Sequence, residues 1–370
     1  MKIGSNAYDY RNMSLIKRYF IIIILGVIFS NPCLTPPSAV SNYGIVNNKA
    51  KYFDYGIMEE ILFYAQHQSD SSRMIPRMGF LLTRPHALGT VLICHGFMCD
   101  KYDTAFIRTM FPHYNVMTFD FRAHGEKIDN YQCCTFGRDE AYDVIAAVNY
   151  LKSRPDLQGL PRIVYGFSMG AVAAIQAQSS DATLFDLMVL DCPYDCSDNI
   201  IKKGLENFKI NIFGYSFSLP GQSFLENYAY NPYVQSVLKV VLKTIAHMDA
   251  TETNTYIYPI RPVESIKKIT IPCFFIHCRN DEKVSVQAAK DIFENAAASY
   301  KKLWITDGRR HFDSFFYNPE KYMYRVNRFI QKGLAANQHL LYQKMTDDAV
   351  QKHEKIVVTD IKSIALKNSF

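Results

Sequence analysis

Residues 162–177 read Arg162-Ile163-Val164-Tyr165-Gly166-Phe167-Ser168-Met169-Gly170-Ala171-Val172-Ala173-Ala174-Ile175-Gln176-Ala177. The apolar run Ile163 to Tyr165 has the length and character of a buried strand, and the alanine-rich stretch Met169 to Ser179 reads as a helix. Between them lies glycine, any residue, serine, any residue, glycine. A strand that turns this sharply into a helix strains its backbone and leaves no room for a side chain on either flank, so the two glycines are a steric requirement. Such a turn lifts the Ser168 hydroxyl clear of a sheet.

Working outward, short apolar segments recur on both sides: Thr90 to Cys94, Asn115 to Phe119, Arg162 to Tyr165, Leu187 to Leu190, Cys273 to His277 and Lys302 to Thr306. Their brevity and continuous hydrophobicity suit buried parallel strands. Helical stretches alternate with them. Gly137 to Lys152 carries Ala141, Val144, Ile145 and Val148 at helical spacing, and a last helix is expected from about Asn318, with Pro319 in its first turn and Gly333 placed to end it. The rhythm predicts an α/β class: a mostly parallel central sheet flanked by helices. Residues 197–264 break it with aromatic-rich helical pieces and no clear strand, and read as a cap inserted at the carboxyl edge of the sheet, where ligands bind.

A serine hydroxyl is a weak nucleophile until a base takes its proton, and the base needs a group to orient it. Asp281 lies on the loop after the strand Cys273 to His277, and His311 follows the next strand after Gly308, Arg309 and Arg310, which gives the chain order Ser168, Asp281, His311. Asp191, after another strand, and Glu282, next to Asp281, are rivals for the acid. The negative oxygen of a tetrahedral intermediate needs preorganised N–H donors. The backbone N–H groups of Phe97, after an early strand, and of Met169, just after the serine, are the candidates. His95 and His124 read as structural hydrogen-bonding residues, and Arg309 and Arg310 as solvated charges.

From Gly79 to Lys332 the chain resembles the α/β-hydrolase superfamily, in particular its serine-aminopeptidase-like branch. The residues that carry the resemblance are His95-Gly96-Phe97, Thr118 to Glu126 with Arg122-Ala123-His124-Gly125 at its heart, Gly137 with Glu140 to Val144, and Gly166 to Gly170. It implies an α/β-hydrolase fold with a helical cap, Ser168 as nucleophile, Asp281 as acid, His311 as base, and Phe97 and Met169 as oxyanion donors. The sequence departs from the family pattern at Ala123, where glycine is usual, at Lys127, where serine is common, and at Cys278, where the strand usually ends in glycine. None of these removes a catalytic group. The expectation is a serine hydrolase of an ester, thioester or small amide bond, acting on a small-molecule or short peptide substrate without a cofactor. A non-catalytic binding protein with the same fold and an acyltransferase are the alternatives.

The 370 residues suffice for one large domain with terminal extensions, with 48% hydrophobic and 21% charged residues in the proportions of a globular protein. The net charge of +6 is spread along the chain, with no basic stripe for nucleic acid. Nine cysteines include no CxxC pair, and with no HExxH helix there is no metal-site spacing, so no metal is expected. Lys17 and Arg18 precede the apolar run Tyr19 to Phe29 and a Pro/Ser-rich stretch up to Ser41. Because a spanning helix needs about 20 apolar residues, residues 1–41 read as a secretory signal, with an N-terminal membrane anchor as the alternative. The hydrolase domain is expected over residues 45–335 and a polar tail over 336–370.

Overall fold

The computed structural model describes residues 56–68, 70–125, 134–197, 199–200, 209–212, 215–218 and 260–337. Residues 1–55, with the expected signal or anchor, and most of the cap and tail therefore lie outside the described part. Among the described residues no helix is long and apolar enough to cross a membrane.

The chain divides into two compact units. The larger, residues 54–128, 134–197 and 259–370, holds an eight-stranded sheet. Its strands are β1 (Ile57–Gln66), β2 (Met74–Thr83), β3 (Thr90–Cys94), β4 (Asn115–Phe119), β5 (Arg162–Phe167), β6 (Leu187–Asp191), β9 (Cys273–Cys278) and β10 (Lys301–Thr306), ordered β1-β2-β4-β3-β5-β6-β9-β10. From β4 to β10 every pairing is parallel, while β1 pairs β2 and β2 pairs β4 antiparallel. All six strands read from the sequence are present, and the class is α/β.

The β1–β2 hairpin is not among the strands expected from sequence. Its two strands are long and half-exposed: β1 alternates buried Ile61, Phe63 and Ala65 with exposed Glu60, Leu62 and Tyr64. An outward face that keeps Leu62 and Tyr64 blurs the apolar/polar alternation that marks a one-sided strand. In the smaller unit the described residues form β7 (Lys209–Ile212) and β8 (Tyr215–Ser218), an antiparallel pair. That corrects the expectation of a segment without strands. The larger unit closes on itself where this insertion departs, because the Ser197 N–H donates to the Ile260 carbonyl at 3.1 Å and the Ile260 N–H to Ser197 Oγ at 3.0 Å.

The helices that matter for the site are α1 (Glu140–Ser153), α2 (Met169–Ser180), α3 (Val286–Asn295) and α4, residues 319–337. One face of the sheet, built from alternate residues such as Ile163, Tyr165, Leu187, Val189, Phe274 and Ile276, packs against Tyr322, Val326, Phe329 and Ile330 of α4. Gly333 does not end that helix. A Cβ there would come within 2.5 Å of Leu187 Cδ1 and 3.2 Å of Pro272 Cβ, so its smallness serves close packing of α4 on the sheet, and the helix continues to residue 337.

Two polar assemblies are sealed in this core. Arg122, fully buried after β4, pairs with Asp143 of α1 through Nε to Oδ2 at 3.1 Å and Nη2 to Oδ1 at 2.9 Å, and its Nη2 also donates to the Gln66 carbonyl at 3.1 Å. This ties α1, β1 and the loop after β4 together. On the other face Tyr165 and Tyr322 share a 2.8 Å hydrogen bond, and the Tyr322 hydroxyl donates to Asp191 Oδ2 at 2.6 Å. Burial, opposed by that hydrogen bond and reinforced by nearby Asp281, pushes the Asp191 carboxyl up to about 7.

Each assembly makes a prediction. Asp143→Ala strands a buried guanidinium and is expected to cost about 3–5 kcal/mol in urea unfolding. Asp156→Ala, which breaks the half-exposed pair with Arg154 (2.9 Å), is expected to cost no more than about 1 kcal/mol; equal losses would contradict the account. For Asp191 the folded protein binds the proton more tightly than the unfolded chain, so stability is present below the unfolded value near 4 and declines as pH rises toward 7. Asp191→Asn should therefore flatten that decline, and the variant should gain on wild type by on the order of a few kcal/mol between pH 4 and 8; parallel pH–stability curves would refute it.

Candidate active site

The turn after β5 brings the first group into place. Ser168 has φ 52° and ψ −121°, outside the regions that side chains favour, and its N–H is held by the Asp191 carbonyl at 2.8 Å. Both flanking glycines are needed for approach. A Cβ on Gly166 would lie 2.8 Å from Ala171 N and Cα, and one on Gly170 only 2.1 Å from the Cys94 carbonyl oxygen of β3. The turn is pressed against its own helix on one side and against the neighbouring strand on the other.

Two further loops at the same carboxyl edge supply the partners. β9 leads into Asp281 and β10 into His311. His311 Nε2 stands 2.8 Å from Ser168 Oγ, and His311 Nδ1 stands 2.7 Å from Asp281 Oδ2. Asp281 Oδ1 accepts the N–H groups of Lys283 at 2.8 Å and Val284 at 2.9 Å, which hold the carboxylate in the plane the histidine needs. Its side chain is fully buried while that of His311 is 14% exposed, so the relay opens to solvent at the histidine end. Burial pushes the Asp281 carboxyl up, but the hydrogen bond and charge of His311, with the Val284 N–H, outweigh it and leave the group below its ordinary value. An ionised Asp281 only accepts, so it holds the Nδ1–H form of His311 and leaves Nε2 to receive the serine proton.

The geometry separates the three acids. Asp281 meets His311, whereas Asp191 turns its Oδ2 to Tyr322 and Glu282 is exposed. His95 is structural: it is buried, its Nδ1 meets the Gly96 carbonyl at 2.8 Å, and its Nε2 accepts the Phe121 N–H at 3.0 Å. Burial lowers it to about 3, so it stays neutral. His124 Nδ1 meets the Arg122 carbonyl at 2.9 Å. Arg309 and Arg310 are exposed.

Phe97 and Met169, the expected oxyanion donors, lie on segments that flank Ser168. Met169 opens α2, so its N–H has no acceptor four residues back in the helix. Gly96, just before Phe97, lies so close that a Cβ on it would meet Phe167 Cε2 at 2.8 Å and Ser168 Cβ at 3.6 Å. The Phe97 ring is 5.2 Å from that of Phe136. Glu140 in turn fixes the loop carrying Phe136, accepting from Thr135 N (2.9 Å), Thr135 Oγ1 (2.9 Å) and Gly137 N (2.7 Å). These contacts explain the Gly137 and Glu140 positions that carry the family resemblance.

The sequence reading missed Cys192. It follows β6 with φ 44° and places Sγ 3.8 Å from His311 Nε2. Its position just past a strand end at the carboxyl edge was the available signal. Cys192, Asp281 and His311 have ligating atoms within 4.8 Å of one another, the one such group among the described residues. Asp281 and His311 already bond each other, and burial raises the thiol well above its ordinary value, which disfavours the thiolate a metal would need. The arrangement suits a proton relay better than an ion.

Comparison with known proteins agrees with the architecture. An uncharacterised protein of Bacillus subtilis, YqkD, is 26% identical over 246 residues, 65% of this chain and 70% of that protein. The Pyrococcus furiosus esterase Pf2001 is similar in structure, with a TM-score of 0.56 at 22% identity over 76% of this chain and 94% of that one. The peroxisomal α/β-hydrolase Lpx1 of Saccharomyces cerevisiae has a TM-score of 0.52 at 13% identity over 81% of this chain and 99% of that one. Residues 91–323, the span from β3 into α4 that contains Ser168, Asp281 and His311, match the model of the alpha/beta hydrolase family, and the chain belongs to that family.

Proposed function

We propose that the protein is a serine hydrolase that opens an ester, thioester or small amide bond through an acyl-enzyme on Ser168. The observation that carries this reading is the unbroken path from Ser168 Oγ to His311 Nε2 at 2.8 Å and from His311 Nδ1 to Asp281 Oδ2 at 2.7 Å. Each link has the distance and polarity that acyl transfer requires.

In the first half-reaction His311 Nε2 takes the Ser168 proton as Oγ bonds to the substrate carbonyl carbon. The carbonyl oxygen gains the negative charge and turns toward the N–H groups of Phe97 and Met169. As the tetrahedral carbon collapses, its bond to the leaving group breaks, and the proton on His311 passes to that group. Water then repeats the sequence on the acyl-enzyme: His311 removes its proton, the carboxylic acid departs, and Ser168 recovers its hydrogen. Asp281 stays ionised throughout and stabilises the imidazolium that forms twice in each cycle. The substrate is a small molecule or short peptide, and an exported location follows if residues 1–41 act as a signal.

The direct test is labelling of the purified full chain with a fluorophosphonate probe, which modifies activated serines. Wild type should label and Ser168→Ala should not. Substitution of Ser168 or His311 by alanine should lower turnover on any substrate found by on the order of a millionfold, because the residues act as a unit. Gly170→Ala removes no reacting group, yet it should suppress labelling by pushing the turn off β3. A folded wild type that takes up no probe would overturn the serine reading in favour of a non-catalytic binding protein with this fold.

A further inference from the structure

The residue after His311 is held in an unusual way. Phe312 has φ 58°, a left-handed conformation that a bulky side chain rarely adopts, and its ring stacks on that of Phe167 with centroids 4.0 Å apart and planes 17° from parallel. Phe167 precedes Ser168. Beside this stack Phe106 has its ring centre 6.4 Å from Phe312 and 5.2 Å from Phe316. Phe106 and Phe312 rest on the core and are only partly buried, and Phe316 is 42% exposed. All of them belong to the sheet-bearing unit. An apolar ledge, seated on the core and partly exposed, therefore begins one residue from His311.

We propose that Phe106, Phe312 and Phe316 form the subsite for the substrate's leaving group, and that the group they take is an apolar alcohol with an alkyl or aryl-alkyl body. The inference rests on the serine-hydrolase reading and adds its specificity. The leaving oxygen must come within hydrogen-bond reach of His311 Nε2 to receive the proton, while the carbonyl oxygen faces the opposite side, toward Phe97 and Met169. The carbon body attached to the leaving oxygen then lies alongside the residue after His311. Phe312 gives that body an aromatic face, and Phe106 and Phe316 extend it away from the reacting centre. These three rings offer no charged or hydrogen-bonding group, so a charged or sugar-like alcohol would lose its hydration there without replacement.

The test holds the acyl group constant and varies only the alcohol. Ethyl, hexyl and 2-phenylethyl acetate all release primary alcohols of similar acidity, so differences in kcat/KM report contact with the ledge. At roughly fourfold for each methylene fully buried, the hexyl and phenylethyl esters should exceed ethyl acetate by about tenfold or more with partial burial. Phe106→Ala should reduce that advantage, read as the ratio of hexyl to ethyl acetate kcat/KM, to about threefold or less. Phe316→Ala, at an exposed ring, should act in the same direction without touching the core. Equal kcat/KM for the three acetates in an enzyme that labels at Ser168, or an advantage untouched by both substitutions, would overturn the ledge and leave the hydrolase reading standing. A gain that follows acyl length among ethyl esters instead would place the rings on the acyl side and likewise overturn it. Absence of labelling would remove the hydrolase reading itself.

Discussion

The architecture of the site depends on one steric fact, the missing Cβ atoms of Gly166 and Gly170. With a methyl at Gly170 the turn after β5 would collide with the backbone of β3, at 2.1 Å from the Cys94 carbonyl oxygen, and with one at Gly166 it could not fold back on Ala171. Because both are glycine, the helix α2 starts directly over the sheet edge. Ser168 is forced to φ 52° with its N–H on the Asp191 carbonyl and its hydroxyl toward His311. The position of the Ser168 hydroxyl follows from backbone contact between neighbouring strands.

Strain is concentrated at the same edge. Among the described residues seven other than glycine have positive φ: His86, Met98, Ala123, Phe136, Ser168, Cys192 and Phe312. Met98 follows β3, Ala123 follows β4, Ser168 follows β5, Cys192 follows β6 and Phe312 lies beyond β10. A left-handed residue costs on the order of 1–3 kcal/mol, so this cluster persists only because the sheet beneath it is over-determined. The buried Arg122–Asp143 pair and the closed strands β3, β4 and β6 supply that rigidity. Ala123 shows the point in miniature: the family pattern has glycine there, and the chain keeps the left-handed turn with alanine at φ 62°.

The two buried acids show how environment divides labour between like groups. Asp191 is the last residue of β6, Asp281 lies in the loop after the neighbouring strand β9, and the charge of Asp281 bears on Asp191. Asp281 receives two backbone N–H groups and the imidazole, and is held ionised; Asp191 receives one tyrosine hydroxyl in a dry site and is pushed toward the neutral form. The Asp191 carbonyl meanwhile anchors the serine turn, so the Tyr165–Tyr322–Asp191 ladder connects α4 to Ser168.

The sequence by itself determined the six buried strands, the α/β class and the Ser168, Asp281, His311 order, because continuous apolar runs and obligate glycines are local consequences of burial and backbone sterics. It left the β1–β2 hairpin unseen, since Leu62 and Tyr64 on the outer face erase the alternation that a half-exposed strand should show. It also read Gly333 as a helix end, where the glycine instead admits Leu187 to the α4 interface. Only the tertiary structure shows that it is Asp281, and not Asp191, that meets His311. Both follow strand ends and are indistinguishable in one dimension, and the choice turns on which loop faces His311 and which carboxyl meets Tyr322. The same holds for Cys192 beside His311 and for Phe312 on Phe167, which are contacts across more than a hundred residues of chain. Local patterns record how each segment is solvated, but they carry no record of which distant segment lies against it.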